Sequence, residues 1–278
     1  MTIASLDDIA AGLVNGIRYP INKASLSSVV AGSEASLWRA ATLPAAGAIP
    51  TAAAICSDAL AGAVPLAPRT VGQDRIIAGF ELMSDTASVD QCVEDRLAHM
   101  GGLSGTLTTA QNVGIDLNAN LAVNNLAERI GSADYSEVEW YLEWYTATGA
   151  TVSTPTVNVT YDDGTTGNCN VWVLGATALP ATVAASRRYK IISATGKGIR
   201  AVNTVTLSAS TGTAGNFGVT AVRKLFFCVA LLANRWEKLD WSGTYAAKVA
   251  DKACLTFSTL CITTTTRLRY GRLIQAVN

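Results

Sequence analysis

Three acids in one short stretch have the spacing best suited to chemistry. Glu137, Glu139 and Glu143 recur within Glu137-Val138-Glu139-Trp140-Tyr141-Leu142-Glu143-Trp144-Tyr145. In an extended strand, residues two apart share a face about 6.5 to 7 Å from one another, within the span of about 5 to 10 Å over which paired carboxylates hydrolyse glycosides. The same spacing arises whenever an amphipathic strand turns a wet face outward, and acids on that face discourage edge aggregation. The expectation is a solvated or interface face, with a glycosidase centred on Glu139 as the enzymatic alternative.

Other reactive side chains are sparse. His99 is the sole histidine, so HExxH and multi-histidine metal sites are excluded. A Ser-His-Asp triad would have to recruit it, yet the nearest candidate, Gly102-Leu103-Ser104-Gly105-Thr106, lacks the second glycine of a nucleophile elbow. His99 is expected at a strand end or a subunit contact. Gly196-Lys197-Gly198 has no serine or threonine after its lysine, and Asp162-Asp163-Gly164 lacks the spacing of a calcium loop, so both are expected to be turns. Cys56, Cys92, Cys169, Cys228, Cys254 and Cys261 are scattered without a CxxC pair, which excludes a zinc ribbon. Several lie in apolar runs such as Phe226-Phe227-Cys228-Val229, so reduced, buried thiols are expected. No catalytic, metal or cofactor site is assigned.

The 278 residues suffice for one large domain, or for one domain with an arm. Apolar residues form 49% of the chain and charged residues 15%, against the usual quarter in soluble domains. Lys+Arg and Asp+Glu balance at 21 each, so no net field draws in nucleic acid or an acidic membrane. A surface so poor in charge suits a subunit that hides area against partners. The first residues lack the basic and apolar regions of a signal peptide, so synthesis in a cytoplasm is expected. No run approaches the roughly 20 apolar residues that cross a bilayer.

Residues 5–16 read as a short amphipathic helix, with Ser5 as N-cap, Asp7 and Asp8 in the first turn, and Leu6, Ile9 and Leu13 on one face. From Ala40 to Pro68, proline and glycine interrupt any regular element; with Ile49, Ile55 and Leu60 exposed to water unless covered, this connector is expected to lie in a groove. In Glu137–Tyr145 the period of two buries Val138, Trp140, Leu142 and Trp144. Runs 156–161 and 168–173 flank a DG turn and predict a hairpin, and 202–209 is expected to pair with 218–230. Further strands are expected at 75–83, 253–262 and 268–276, and residues 117–130 have weak helical character. The fold class expected is all-β, a β-sandwich or jelly-roll body over 71–278, with an N-terminal helix and extended arm over 1–70.

Three stretches carry a resemblance: Ser36-Leu37-Trp38-Arg39-Ala40-Ala41-Thr42-Leu43-Pro44, Asp95-Arg96-Leu97-Ala98-His99-Met100-Gly101-Gly102, and Tyr135-Ser136-Glu137 through Tyr145. With them the chain, from Ser36 to Gln275, resembles a group of tailed-bacteriophage virion proteins. The resemblance implies a place, the phage particle, and a task, decorating or cementing the head, with the major capsid protein and copies of this chain as partners. It implies no active site. Expected contact residues are Leu6, Ile9, Leu13, Trp38, Ile49, Ile55 and Leu60 in the arm, and Arg187, Arg188 and Arg269 from the basic groups at 187–190 and 267–272. A tail, neck or fibre component is the alternative within the virion. Outside it stands a carbohydrate-binding module using Tyr141, Tyr145 or Trp172. A major capsid protein needs a long spine helix, and no segment of about 20 helical residues is evident.

Overall fold

The computed structural model describes residues 5–24, 33–173, 176, 178–261 and 268–277; Arg267 and the side chain of Cys261 lie outside them. Helix α1 (Leu6–Asn15) opens with a capping box: the Ser5 hydroxyl accepts from Asp8 N–H while the Asp8 carboxylate accepts from Ser5 N–H. Ile9 and Leu13 rest on Ile76, Ala78, Ile274 and Ala276. The chain then runs through β1 (Ile17–Ala24), β2 (Ser33–Ser36), the two-residue β3 (Ala54–Ile55), β4 (Arg75–Ser84), β5 (Val89–Ser104) and β6 (Gln111–Asp116). A short helix, α2 (Leu126–Arg129), precedes β7 (Val138–Trp144), β8 (Pro155–Tyr161), β9 (Thr166–Val171) and β10 (Arg187–Ile192). Last come β11 (Ile199–Leu207), β12 (Asn216–Ala230), β13 (Trp236–Leu239), β14 (Leu255–Cys261) and β15 (Leu268–Val277).

The fold is all-β and of sandwich type, with the N-terminal helix as expected. A four-stranded sheet runs β1-β15-β4-β13, and a larger one runs β2-β14-β5-β12-β7-β10-β9-β8-β11-β6. In the larger sheet β2 pairs with β14 on one side and with β10 on the other. Strands β2, β14, β5, β12, β7 and β10 therefore close into an antiparallel ring, which removes the free edges an open sheet would present. Beyond the ring, Ile191 and Ile192 of β10 pair with β9, so the sheet splays into the extension β9-β8-β11-β6.

Two apolar cores lie outside this ring. Trp140, Leu142, Trp144, Phe217 and Val219 on its outer face pack against Val157, Val159, Val202, Val205 and Leu207 of the extension. On the opposite flank, Val93, Phe226, Leu255 and Phe257 meet Ile77, Phe80, Leu82 and Leu273 of the four-stranded sheet. The molecule is thus layered as extension, ring and four-stranded sheet.

Several expectations change. The segment read as an arm is threaded into the body: β1 pairs with β15, β2 with β14 and β10, and β3 with β5. Strands at 199–207 and 216–230 do not pair with each other; β11 lies between β8 and β6, and β12 between β5 and β7, because the 155–171 hairpin offers β11 a nearer edge. Residues 117–130 form tight turns and the single turn of α2, since Asn124 and Asn125 take left-handed φ of 51° and 53°. His99 sits within β5, well inside its ends, and is buried.

Candidate functional site

The face of β7 opposite its indoles points into the ring. Cross-strand partners share a face, and the register carries that face around: Arg188 lies opposite Glu34 and Glu143, Lys190 opposite Tyr141, Tyr141 opposite Thr220, Lys224 opposite Glu94, Glu94 opposite Thr256, and Ser258 opposite Ser36 and Cys92. The ring therefore holds Glu34, Glu94, Glu139, Glu143, Arg188, Lys190 and Lys224 within and packs its indoles without, the reverse of an ordinary small barrel.

Three linked groups fill this interior. Arg188 binds both oxygens of Glu94 at 2.7 and 2.6 Å and reaches Glu34 at 2.5 Å, with its guanidinium 4.1 Å above the Tyr141 ring. Deeper, Arg96 pairs with Glu143 at 2.8 Å and donates to Thr220 and Tyr145 at 3.1 and 3.2 Å, while Thr220 donates to Glu143 at 2.6 Å. Toward the open end, Lys224 bridges Glu34 and Glu139 at 3.2 and 3.0 Å, and Lys190 meets Glu139 at 2.7 Å. Every charged group named here has an opposite charge in reach, which is the condition under which buried ions persist.

Electrostatics decides what the acids can do. Burial opposes ionisation of Glu139, but Lys224, Lys190 and the Tyr141 hydroxyl outweigh it and hold the carboxyl at about 2. Glu143 is likewise held down: burial raises it, and Arg96 with Thr220 more than compensates. Glu137 stands outside at the surface, paired with Arg223 at 2.7 Å. A glycosidase needs one carboxyl kept protonated, whereas Glu139 and Glu143 inside the ring are both held toward the ionised form. Asp90 behaves in the opposite way, pushed up to about 6 chiefly by burial, with Glu34 adding to the rise.

The open end of the ring is a cup of about 210 Å³ bordered by Glu34, Asp90, Lys190 and Lys224 and rimmed by Trp172, Phe227 and Leu260. Beside it runs a mostly apolar groove of about 420 Å³, walled by Val152, Trp172, Leu179, Pro180 and Tyr189. Trp172 is 52% exposed, whereas Tyr141 and Tyr145 are buried inside and cannot stack on a glycan. The described residues hold no cluster of three or more metal-ligating side chains.

The expected contact residues scatter. Trp38 is buried in its own chain: its indole N–H donates to Ala48 O at 2.8 Å, and Gly47 and Gly62 press on the ring so closely that a Cβ on either would meet it at 2.0 and 2.4 Å. Ile55 and Leu60 are half-buried against the chain's own cores, and Ile49 is half-buried too. Arg188 and Arg269 are sealed inside and Arg187 is almost so: Arg188 faces the ring interior, and Arg269 lies on the buried face of β15 between the exposed Leu268 and Tyr270. The groove expected for the connector is thus one that this chain itself provides. Leu6 alone of the ten remains largely exposed, at 64%.

Sequence reasoning missed the surface that is most unlike its surroundings. Phe227, Val229, Leu231, Leu232, Trp236, Leu260, Leu268 and Tyr270 are all more than a third exposed. They gather around the β4–β5 turn: Trp236 and Tyr270 flank Met83, Asn234 N–H donates to Ser84 O, Leu268 N–H donates to Asp85, Val229 lies opposite Asp90, and Leu260 N–H donates to Asp90. The run from Leu225 to Ala233 was the available signal, since alternation alone cannot make nine successive apolar residues face inward.

No protein-family model matches the chain, and no curated protein matches it. Among solved structures, the infectious bursal disease virus VP2 subviral particle aligns at 9% identity over 95% of this chain and 80% of that one, with a TM-score of 0.17. A superposition of that quality carries no argument about fold or role.

Proposed function

We propose that the chain is a structural subunit of a tailed-phage virion, a decoration or cement protein that binds the major capsid protein on the head. The observation that carries this reading is the apolar end around the β4–β5 turn. Eight large apolar side chains near this turn are between 36% and 64% exposed, Trp236 and Tyr270 on the outer face of the four-stranded sheet and Phe227 and Leu260 at the mouth of the ring, and exposed apolar side chains concentrated at one end of a molecule mark an interaction site. The ring works toward the same end. It pairs Glu34, Glu94, Glu139 and Glu143 with Arg96, Arg188, Lys190 and Lys224 in an internally neutralised bundle, which leaves fewer charges to desolvate at an interface. The family resemblance supplies the particle as the place.

The test is to locate the protein on purified particles by electron cryomicroscopy and to measure its copy number after Leu232→Asp and Trp236→Asp. Density on the outer head, with occupancy falling at least tenfold in the variants while their melting temperatures hold, is the expected result. Density confined to the tail or neck would remove decoration in favour of another virion part. Self-association in solution that the same variants abolish would assign this end to contacts between copies.

Carbohydrate binding is the second reading, favoured by the half-exposed indole of Trp172 over the 420 Å³ groove. Saturable glycan binding lost in Trp172→Ala would support it, and a flat titration would dismiss it.

A further inference from the structure

Behind the closed end of the ring, Cys56 and Cys254 meet beneath Trp38 in a small buried cluster with Ala63 and Leu60. Their thiols are in hydrogen-bonding contact with each other, although 198 positions separate them in the sequence (254 less 56). We infer that Cys56 and Cys254 are a redox pair whose disulfide staples the proline- and glycine-rich connector to the start of β14.

One ion pair fixes both backbones. Arg129 binds Asp95 through two bonds of 2.9 and 2.7 Å and donates to Cys56 O at 2.7 Å, while Asp95 accepts from Cys254 N–H at 2.8 Å. Cys56 N–H in turn donates to Leu97 O, and Cys254 O accepts from Arg96 N–H, both at 2.9 Å. The two Cα positions are thus held to adjacent residues of β5, so closing the S–S bond requires side-chain rotation and no rearrangement of a sheet.

The surroundings also divide the roles of the two sulfurs. Arg96 Nε–H donates to His99 Nδ1 at 3.1 Å, which leaves the ring proton on Nε2 for the bond that His99 makes to the Cys56 sulfur. Burial would raise the Cys56 thiol, but hydrogen bonds from Cys254 and His99 and the charge of Arg96 outweigh it and set Cys56 well below an ordinary cysteine. Cys254 is pushed well above, first by burial and then by its bond to Cys56. Cys56, the sulfur that accepts from His99 beside Arg96, is assigned as the nucleophile and Cys254 as the resolving thiol. By contrast Cys92 and Cys228 are raised chiefly by burial.

With hydrogen peroxide as the oxidant, the Cys56 thiolate attacks one oxygen, the O–O bond breaks, and hydroxide leaves to give the sulfenic acid. The Cys254 sulfur then attacks Cys56 Sγ; the S–S bond forms, the S–O bond breaks, and the hydroxyl departs as water with the Cys254 proton. Two thiols and one peroxide yield one disulfide and two waters. Peroxide is scarcely larger than water, and the connector covering the pair meets β5 over a short stretch, the two residues of β3 and the Cys56 N–H bond to Leu97 O, so brief opening admits it.

The experiment treats the intact folded protein with peroxide, quenches it, alkylates under denaturing conditions and maps peptides without reductant. The expected product is a peptide pair joining Cys56 to Cys254, two hydrogens lighter than the reduced peptides and released by dithiothreitol, with a melting temperature raised by on the order of 10 °C. In Cys254→Ala, Cys56 should stop at a sulfenic acid that dimedone traps, whereas Cys228→Ala should keep the link. Recovery of both thiols alkylated, or a link from either to a different cysteine, would overturn the inference. Should the alanine variants fail to fold, the wild-type peptide map decides alone.

Discussion

The two faces of β7 perform opposite tasks. Trp140, Leu142 and Trp144 face outward into a core continuous with the sheet extension, while Glu139, Tyr141 and Glu143 face into a ring filled with ions. The outward face stabilises through area: each large side chain removed from water contributes about 1.5 to 3 kcal/mol. The inward face gains little net energy, since desolvating an ion pair consumes most of what its attraction returns. What it supplies is register. A slip of β10 by one residue would turn Arg188 out of the ring and leave Glu94 buried without a cation and Glu34 with Lys224 alone, so the interior penalises wrong pairings more than it rewards the right one.

Truncations on the two faces test this division. Trp144→Ala removes an indole stacked on Phe217 at 4.8 Å and edge-on to Tyr189 and should cost about 4 to 5 kcal/mol, read as a fall in the urea midpoint. Arg188→Ala should cost about 3 to 4 kcal/mol, for a different reason: buried Glu94 loses its cation and Glu34 keeps only Lys224. The contrast lies in the repair. Arg188→Met with Glu34→Leu and Glu94→Leu should recover most of that loss, because a matched apolar filling is neutral or better, whereas no polar replacement at Trp144 should do so. If Arg188→Ala falls within about 0.5 kcal/mol of wild type, as surface substitutions do, the interior does not depend on its charges.

This contrast also marks how far the sequence could be read. The alternation in Glu137–Tyr145 identified the strand and its apolar face correctly, as did the capping signals at Ser5 and Asp8 and the DG turn of the 155–171 hairpin. The acids were read as a wet face because alternation distinguishes apolar from polar and not water from a sealed polar interior. That distinction depends on β2 pairing with both β14 and β10, contacts spanning more than 150 residues that no local pattern encodes. The longest strand, β5, escaped notice for the same reason. It carries Asp90, Glu94, Asp95, Arg96 and His99, and register shifts in its pairing with β12 break the period of two. The equal totals of acids and bases, read as the absence of a field, were also a trace of internal pairing.

Acidity separates the mouth of the ring from its depth. Asp90, raised to about 6 by burial, binds a proton more readily folded than unfolded. Its contribution is therefore present below pH 4 and is lost as pH rises through 6, by about 3 kcal/mol at most. Glu139, held at about 2, has the reverse sign: its contribution is present above about pH 4.5 and fades as pH falls toward 2. Asp90→Asn should thus raise the urea midpoint at pH 8 and leave it unchanged at pH 4, while Glu139→Gln should lower it at pH 8 and matter less at pH 3. A gain in Asp90→Asn that is equal at both pH values would show that its carboxylate is not the cause.

The smallest effect is expected furthest from the ring. Ser5→Ala removes the hydroxyl that accepts from Asp8 N–H at 3.2 Å and leaves only the reciprocal bond from the residue 5 N–H to the Asp8 carboxylate; caps of this kind contribute about 1 kcal/mol. Helix α1 touches the body through Ile9 and Leu13 on the four-stranded sheet and has no contact with the ionic interior, so the loss should remain local. Hydrogen exchange should quicken at residues 9–13 by about fivefold while amides of β5, β7 and β12 keep their protection. Faster exchange in those ring strands would mean that α1 and the ring unfold together, and that the division between an area-stabilised exterior and a register-setting interior does not extend to the periphery.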